Sequence, residues 1–220
     1  MIKMLCEAVY IIHNALYNKA MYDVCGVFKL EFVQPIRDKK KIDTIKKVLL
    51  TNSVRDYCLF TLGINSGLRI SDLLSLIISD VIDETGRIRE RITLREKKTN
   101  KTKDFPLSNI AQKAITDYLK TRKYEYNEPL FLSKKKNAGK ASLQRDQAYK
   151  IINNAARSVG ITERIGTHTL RKTFGYHAYK SGVSIEVIQK LFNHSTPSTT
   201  LRYIGIAQDD LDNVYLNLNL

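Results

Sequence analysis

Two arginines, two histidines and a tyrosine stand at spacings that suit attack on a phosphodiester without a metal ion. Four of them fall in one stretch, THTLRKTFGYHAYKSGVSIEVIQKLFNHSTPSTTLRY, from Thr167 to Tyr203. It holds an H-x-x-R pair (His168, Arg171), a second histidine (His194) and, nine residues beyond that, Tyr203. Well upstream, SGLRISDLLSL places Arg69 just after Gly67. An attacked phosphodiester gains charge on its equatorial oxygens. Planar guanidinium forks match those oxygens bidentately and stay charged at all relevant pH. Fixed donors aimed at developing charge are usually the largest catalytic contribution. Imidazoles can move protons, and the Tyr203 phenol can be the nucleophile once a base or neighbouring cations offset its free pKa of about 10. A general acid is also needed, because a 5′-hydroxyl is a poor leaving group. REKKTNKTKDFPL supplies lysines at the tip of a hairpin, and a lysine whose pKa is lowered by nearby cations can donate a proton.

Each feature alone has an ordinary explanation. Arg69 can be a surface arginine or pair with Asp72. H-x-x-R occurs by chance in many proteins. A histidine at the end of an apolar helix, as His194 is, can satisfy C-terminal carbonyls. Tyr203 is one of 12 tyrosines and can be a core residue beside Leu201. The hairpin lysines can be solvated groups that touch DNA phosphates. The joint pattern is what carries weight.

The elements that position these residues follow from periodicity and punctuation. His168 and Arg171, at i and i+3, share one helical face and can reach one phosphate. From Lys41, Ile42, Ile45, Val48 and Leu49 follow helical spacing. VRDYCLFTLGINS reads as a buried helix ended by Gly67, and Ser71 as the cap of a short helix DLLSL. DVIDETGRIRERITLREKKTNKTKDFPL alternates β-branched residues around two turns, which predicts a three-stranded antiparallel sheet. Ser108 caps an amphipathic helix, a short PLFLS strand follows, and QRDQAYKIINNAARSVG is a helix ending at Gly160. Two helices flank Gly182, and a last one runs from about Gln208 to Leu218. The expected fold is mainly α (α+β), a helical domain with a small sheet over residues 33–220, preceded by a helical appendage at residues 1–32.

Composition bounds the function classes. The 220 residues carry a formal net charge of +14, with pI near 9.6, which favours a polyanionic partner such as double-stranded DNA. Cys6, Cys25 and Cys58 are odd in number and lack metal-ligand spacing, so they read as reduced thiols in a cytoplasmic protein with no zinc. No apolar run reaches the roughly 20 residues of a membrane span. NAGKAS lacks a Walker loop's first glycine, and QDDLDN lacks a calcium loop's glycine and distal glutamate. No metal or other cofactor is expected.

GLR with a carboxylate three residues on, then H-x-x-R, then a helix ending in His, then T-x-x-x-Y, resembles the catalytic domain of the tyrosine recombinases, or phage integrases, over residues 33–205. The resemblance implies strand cleavage and rejoining through a 3′-phosphotyrosyl intermediate, independent of metal and ATP, by a bacterial or phage-encoded protein. It fills the family's positions with Arg69, Lys98, His168, Arg171, His194 and Tyr203, and makes Asp72 an orienting partner of the first arginine. Lys98 fits the hairpin register best, with Lys97 and Lys101 as alternatives. LFNHS stands where many members have LGHS. The family's core-binding domain, of about a hundred residues, has no room in residues 1–32. In recombinases a tail helix docks on a neighbouring protomer, which implies a tetramer on paired DNA sites. The competing readings are a non-catalytic regulator, since AYKSGVSIEVI has helix-turn-helix spacing, a type IB topoisomerase, and a degenerate integrase relic.

Overall fold

The computed structural model describes residues 33–98, 100–134, 139–206 and Leu216. The expected N-terminal appendage and all of the tail helix except Leu216 lie outside the described residues.

Helix α1 (Lys39–Asn52) starts at Asp38, whose carboxylate accepts from the Lys40 and Lys41 N–H groups, and buries Ile42, Ile45 and Leu49. Ser53 ends α1 and caps α2 (Val54–Ser66) by accepting from the Asp56 N–H. Cys58, Leu59, Phe60 and Leu62 of α2 are fully buried, and α2 packs on α1 and on two later helices, Asn109–Leu119 and Thr169–Lys180. Such all-round burial fits an apolar helix at the centre of a core. Gly67 then takes the left-handed conformation (φ 60°) and stops α2. The short α3 (Ile70–Leu73) begins at Arg69, with no side-chain cap. The expected Ser71 cap therefore does not form. The glycine turn brings Arg69 into the cap position, and Ser71 lies inside the helix with its hydroxyl 3.5 Å from the Asp72 carboxylate.

The sheet has two strands where three were expected. β1 (Arg91–Arg95) and β2 (Thr102–Pro106) pair antiparallel, from Arg91 opposite Pro106 to Arg95 opposite Thr102. The intended third strand is a helical turn, α4 (Ile78–Val81), followed by a single Ile82–Ile88 bridge. Local side-chain bonds explain the loss. The Asp80 carboxylate accepts from the Ile77 N–H, and Asp83 accepts from the Thr85 and Arg87 N–H groups. Aspartates that satisfy the backbone in this way compete with a ladder. PLFLS likewise yields only isolated bridges.

Helix α5 (Asn109–Leu119) is capped by Ser108 as expected, and α6 (Arg145–Ser158) follows. The chain then forms α7 (Thr169–Lys180), α8 (Ile185–Phe192) and α9 (Pro197–Ile204). Among the described residues, apolar side chains form two clusters: the main one around α2, and a smaller one of Ile188, Phe192, Ile204 and Ile206. Helix α7 sits between them, giving Leu170 to the first and Phe174 to the second. A strap before α1 holds α7 and α9. The Ile36 N–H donates to Thr173 Oγ1, His177 Nε2 donates to the Ile36 carbonyl, and Arg37 donates to the Gly205 carbonyl.

Candidate active site

Arg171 organises the site. It is 2% exposed, yet its Nη1 donates to the Gly67 carbonyl at 2.6 Å and its Nη2 to the Phe192 carbonyl at 2.8 Å. Those carbonyls lie two residues before Arg69 and two before His194. One guanidinium thus ties the turn carrying the first arginine to the helix end carrying the second histidine. It also stacks 4.3 Å over the Phe192 ring. A guanidinium has five N–H donors, so two carbonyls leave others for an oxyanion.

Arg69 leaves the glycine turn toward two carboxylates. Its Nη1 lies 2.7 Å from Glu96 Oε1 and 3.9 Å from Asp72 Oδ2. Glu96 and Asp72 are buried, at 5% and 0% exposure. Asp72 also accepts from the Lys97 N–H at 3.0 Å, so it fixes the start of the hairpin turn as well as facing Arg69. Arg69 Nη1 and Asp72 Oδ2 are buried without a well-directed hydrogen bond among the described residues. Glu96 is the nearer partner, and sequence reasoning missed it. It lies one residue past β1, and no motif marks it.

The nucleophile candidate stands among cations and rings. Tyr203, on α9, has its Oη 3.2 Å from His168 Nδ1. His168 precedes α7 by one residue, which puts it one turn from Arg171. Loss of solvent around the His168 ring, then Arg145, Lys172, Arg171 and Lys98, holds its pKa below 6.5. The imidazole is therefore neutral at pH 7, and in the Nε2-protonated tautomer Nδ1 accepts the phenolic proton. Burial pushes the Tyr203 phenol up, and Arg171 and Arg69 pull it back. The Lys172 ammonium lies 5.0 Å from the centre of the Tyr203 ring.

His194 packs edge-on against Tyr203, with ring centres 4.9 Å apart, and its Nδ1 is 3.1 Å from Thr200 Oγ1. Burial, then Arg171 and Arg69, lowers its pKa to about 4. The residue before it explains the LFNHS departure. Asn193 ends α8 in the left-handed conformation (φ 52°). Asparagine tolerates that conformation better than most residues after glycine. Its side chain also accepts from Lys101 Nζ at 3.0 Å, joining the hairpin to this helix end.

The hairpin lysines separate. Lys98 is exposed in the turn between β1 and β2, close enough to act on His168. Lys101 is engaged with Asn193. Lys103, which no motif singled out, is half-buried on β2. The structure thus gathers Arg69, Asp72, His168, Arg171, His194 and Tyr203 around one location, with Lys98 at its solvent edge.

The model of the phage integrase family matches residues 37–209. The chain belongs to the phage integrase family. It is 43% identical over 180 residues to the probable integrase/recombinase YoeC of Bacillus subtilis (strain 168), covering 82% of this chain and 93% of that protein. It is 33% identical to the tyrosine recombinase XerC of Thermodesulfovibrio yellowstonii over 73% of this chain, but spans only 53% of that protein. Among solved structures, XerA recombinase has the same fold, with a TM-score of 0.68 at 21% identity over 86% of this chain and 66% of that one. The catalytic domain of bacteriophage HP1 integrase matches with a TM-score of 0.55 at 21% identity over 86% of this chain and 97% of the domain. A mainly helical tyrosine recombinase catalytic domain is therefore the architecture of this family member, with a smaller sheet than its sequence suggests.

Proposed function

We propose that this family member is a site-specific DNA recombinase that cleaves and rejoins strands through a 3′-phosphotyrosyl intermediate, needing neither metal ion nor ATP. The observation that carries the reading is Tyr203 Oη at 3.2 Å from His168 Nδ1, with Arg171 one helical turn away. In the first step the Tyr203 oxygen bonds to phosphorus as the P–O5′ bond breaks. The phenolic proton passes to His168, and Lys98 protonates the departing 5′-oxygen. Arg69 and Arg171 hold the equatorial oxygens, Asp72 orients Arg69, and neutral His194 donates a further hydrogen bond. One phosphodiester is exchanged for another, so no nucleotide hydrolysis is called for. Double-stranded DNA is the substrate, and we propose a tetramer on paired sites in the cytoplasm. The structures of XerH recombinase bound to its difH substrate share this fold at 18% and 17% identity and support DNA as the partner. A helix-turn-helix regulator would have no use for the arginines, histidines and tyrosine together.

The test is adduct trapping. The protein, with EDTA and without nucleotide, is incubated with a pool of nicked duplexes of randomised sequence, and DNA that stays attached after denaturation is recovered and sequenced. The expected result is an adduct linked to Tyr203, lost in Tyr203→Phe while DNA binding persists. An adduct that survives in Tyr203→Phe, or one that forms only when a divalent metal is restored, overturns the proposal.

A further inference from the structure

A second lysine stands on the wrong face of its strand for a surface residue. β1 and β2 alternate, with Ile92 and Leu94 facing inward opposite Phe105 and Lys103. Three of these four inward positions are apolar. The fourth, Lys103, is half-buried, with its ammonium 5.6 Å from the centre of the Phe105 ring. It lines a cleft of about 380 Å³ with Glu96, Phe105, Val187, Leu191 and Asn193. A lysine on an inward register usually brings its stem to apolar surface and its head to water or to a partner. Here the inward face leads to Glu96, the carboxylate bound to Arg69.

The charge balance of the pocket makes this matter. Asp72 and Glu96 are both buried beside Arg69. Together with Arg171 they form a group of two cations and two carboxylates whose formal charges cancel. Lys103 couples electrostatically to all four, namely Arg171, Glu96, Arg69 and Asp72. The other charged residues along its cleft are Lys101, held by Asn193, Lys190 on α8, and Asp104, which faces outward and is paired with Arg91.

We propose that Lys103 is a positioning residue of the phosphate pocket, whose ammonium offsets the buried Glu96 and Asp72 so that Arg69 and Arg171 present a net positive charge to the scissile phosphate. This rests on the recombinase reading above. It differs from the role of Lys98, because Lys103 acts on the charge of the pocket rather than on the leaving oxygen. Desolvation first, then Arg171, lowers the Lys103 pKa to about 8. The free pocket therefore carries its extra charge at pH 7 and loses it as pH rises through that value. A bound phosphate favours the charged form and raises it.

The experiment measures single-turnover adduct formation from pH 7 to 9 on a nicked duplex recovered from the pool, with the intact protein. Lys103→Met is expected to slow cleavage at pH 7 by about tenfold to a hundredfold, at or below the scale of one lost direct donor, and to abolish the alkaline decline. Lys103→Arg, which stays charged, is expected to keep most of the rate and also to lose the decline. A 5′-thiol leaving group should rescue Lys98→Ala and leave Lys103→Met slow. Equal rates and profiles for wild type and Lys103→Met would overturn the proposal, and thiol rescue of Lys103→Met would make it a general acid instead. A readout without chemistry separates the two readings. By NMR on labelled protein, the Lys103 side chain should titrate near 8 and move upward when a DNA duplex is added. No upward movement overturns the Lys103 proposal, whereas absence of any adduct from wild type overturns the recombinase reading alone.

Discussion

In the proposed mechanism the Tyr203 phenol becomes a nucleophile only if His168 can take its proton, so the protonation state of one imidazole governs the first step. The ring loses solvent and faces Arg145, Lys172 and Arg171, all of which oppose a second positive charge. Because its pKa is depressed below 6.5, the neutral base is present at pH 7 and is lost only as pH falls into the acid range. Adduct formation should therefore have an acid limb with a midpoint below 6.5. His168→Gln should remove that limb and lower the plateau by about a hundredfold, the lower end for a lost general base. A limb that persists unchanged in His168→Gln would assign it to another group. Position alone distinguished Tyr203 from the other tyrosines in the sequence. In the fold it is distinguished by what touches it: His168, His194, Phe192 and Lys172.

At the scale of elements, close approach of α7 to α8 and α9 sets the distance between His168 and Tyr203. Gly175 permits it. A Cβ there would lie 2.7 Å from both an Ile204 methyl and the Phe192 ring. Gly175→Ala would gain about 1 kcal/mol of helix propensity. Forcing a methyl into that contact costs about 1–3 kcal/mol, and the neighbours are a buried ring and a buried isoleucine, so the clash should prevail. The variant is expected to melt at lower temperature and to form adduct more slowly, because α9 carries Tyr203. A melting temperature equal to or above wild type would show that α9 yields at no cost. The hairpin is the other positioning element. Asp72 holds its turn through the Lys97 N–H, and Asn193 holds it through Lys101. The same hairpin carries Glu96, 2.7 Å from Arg69, and Lys103, which shares a cleft with Glu96.

Across the whole molecule, the net charge of +14 makes DNA affinity a matter of ionic strength. Binding through six to ten phosphates would weaken by about 10³- to 10⁵-fold between about 50 and 200 mM salt. Sedimentation of the protein on a duplex carrying two recovered sites should show four protomers at low salt, dispersing as salt rises. Deleting residues 208–220 should reduce this assembly while leaving the melting temperature nearly unchanged. A truncated protein that assembles like the full chain would sink tail-mediated assembly. A salt-independent complex would point to a mainly apolar interface with DNA.

The sequence by itself determined the first two helices and α5, since periodic apolar positions, Ser53, Gly67 and Ser108 mark their faces and ends through local chemistry. It also determined the order of the arginines, histidines and tyrosine, because that order is a property of the chain. The third strand was misread because Asp80 and Asp83 satisfy their own backbone neighbours, and alternation of β-branched residues does not register that competition. Which carboxylate pairs with Arg69, which lysine faces the pocket and which side chains surround Tyr203 were decided only by the tertiary structure. Glu96 and Arg69 are 27 positions apart, and Lys103 and Arg171 are 68 apart. Contacts over such separations depend on how β2 is registered against β1 and how α7 packs between two apolar clusters. Neither is written into any local pattern.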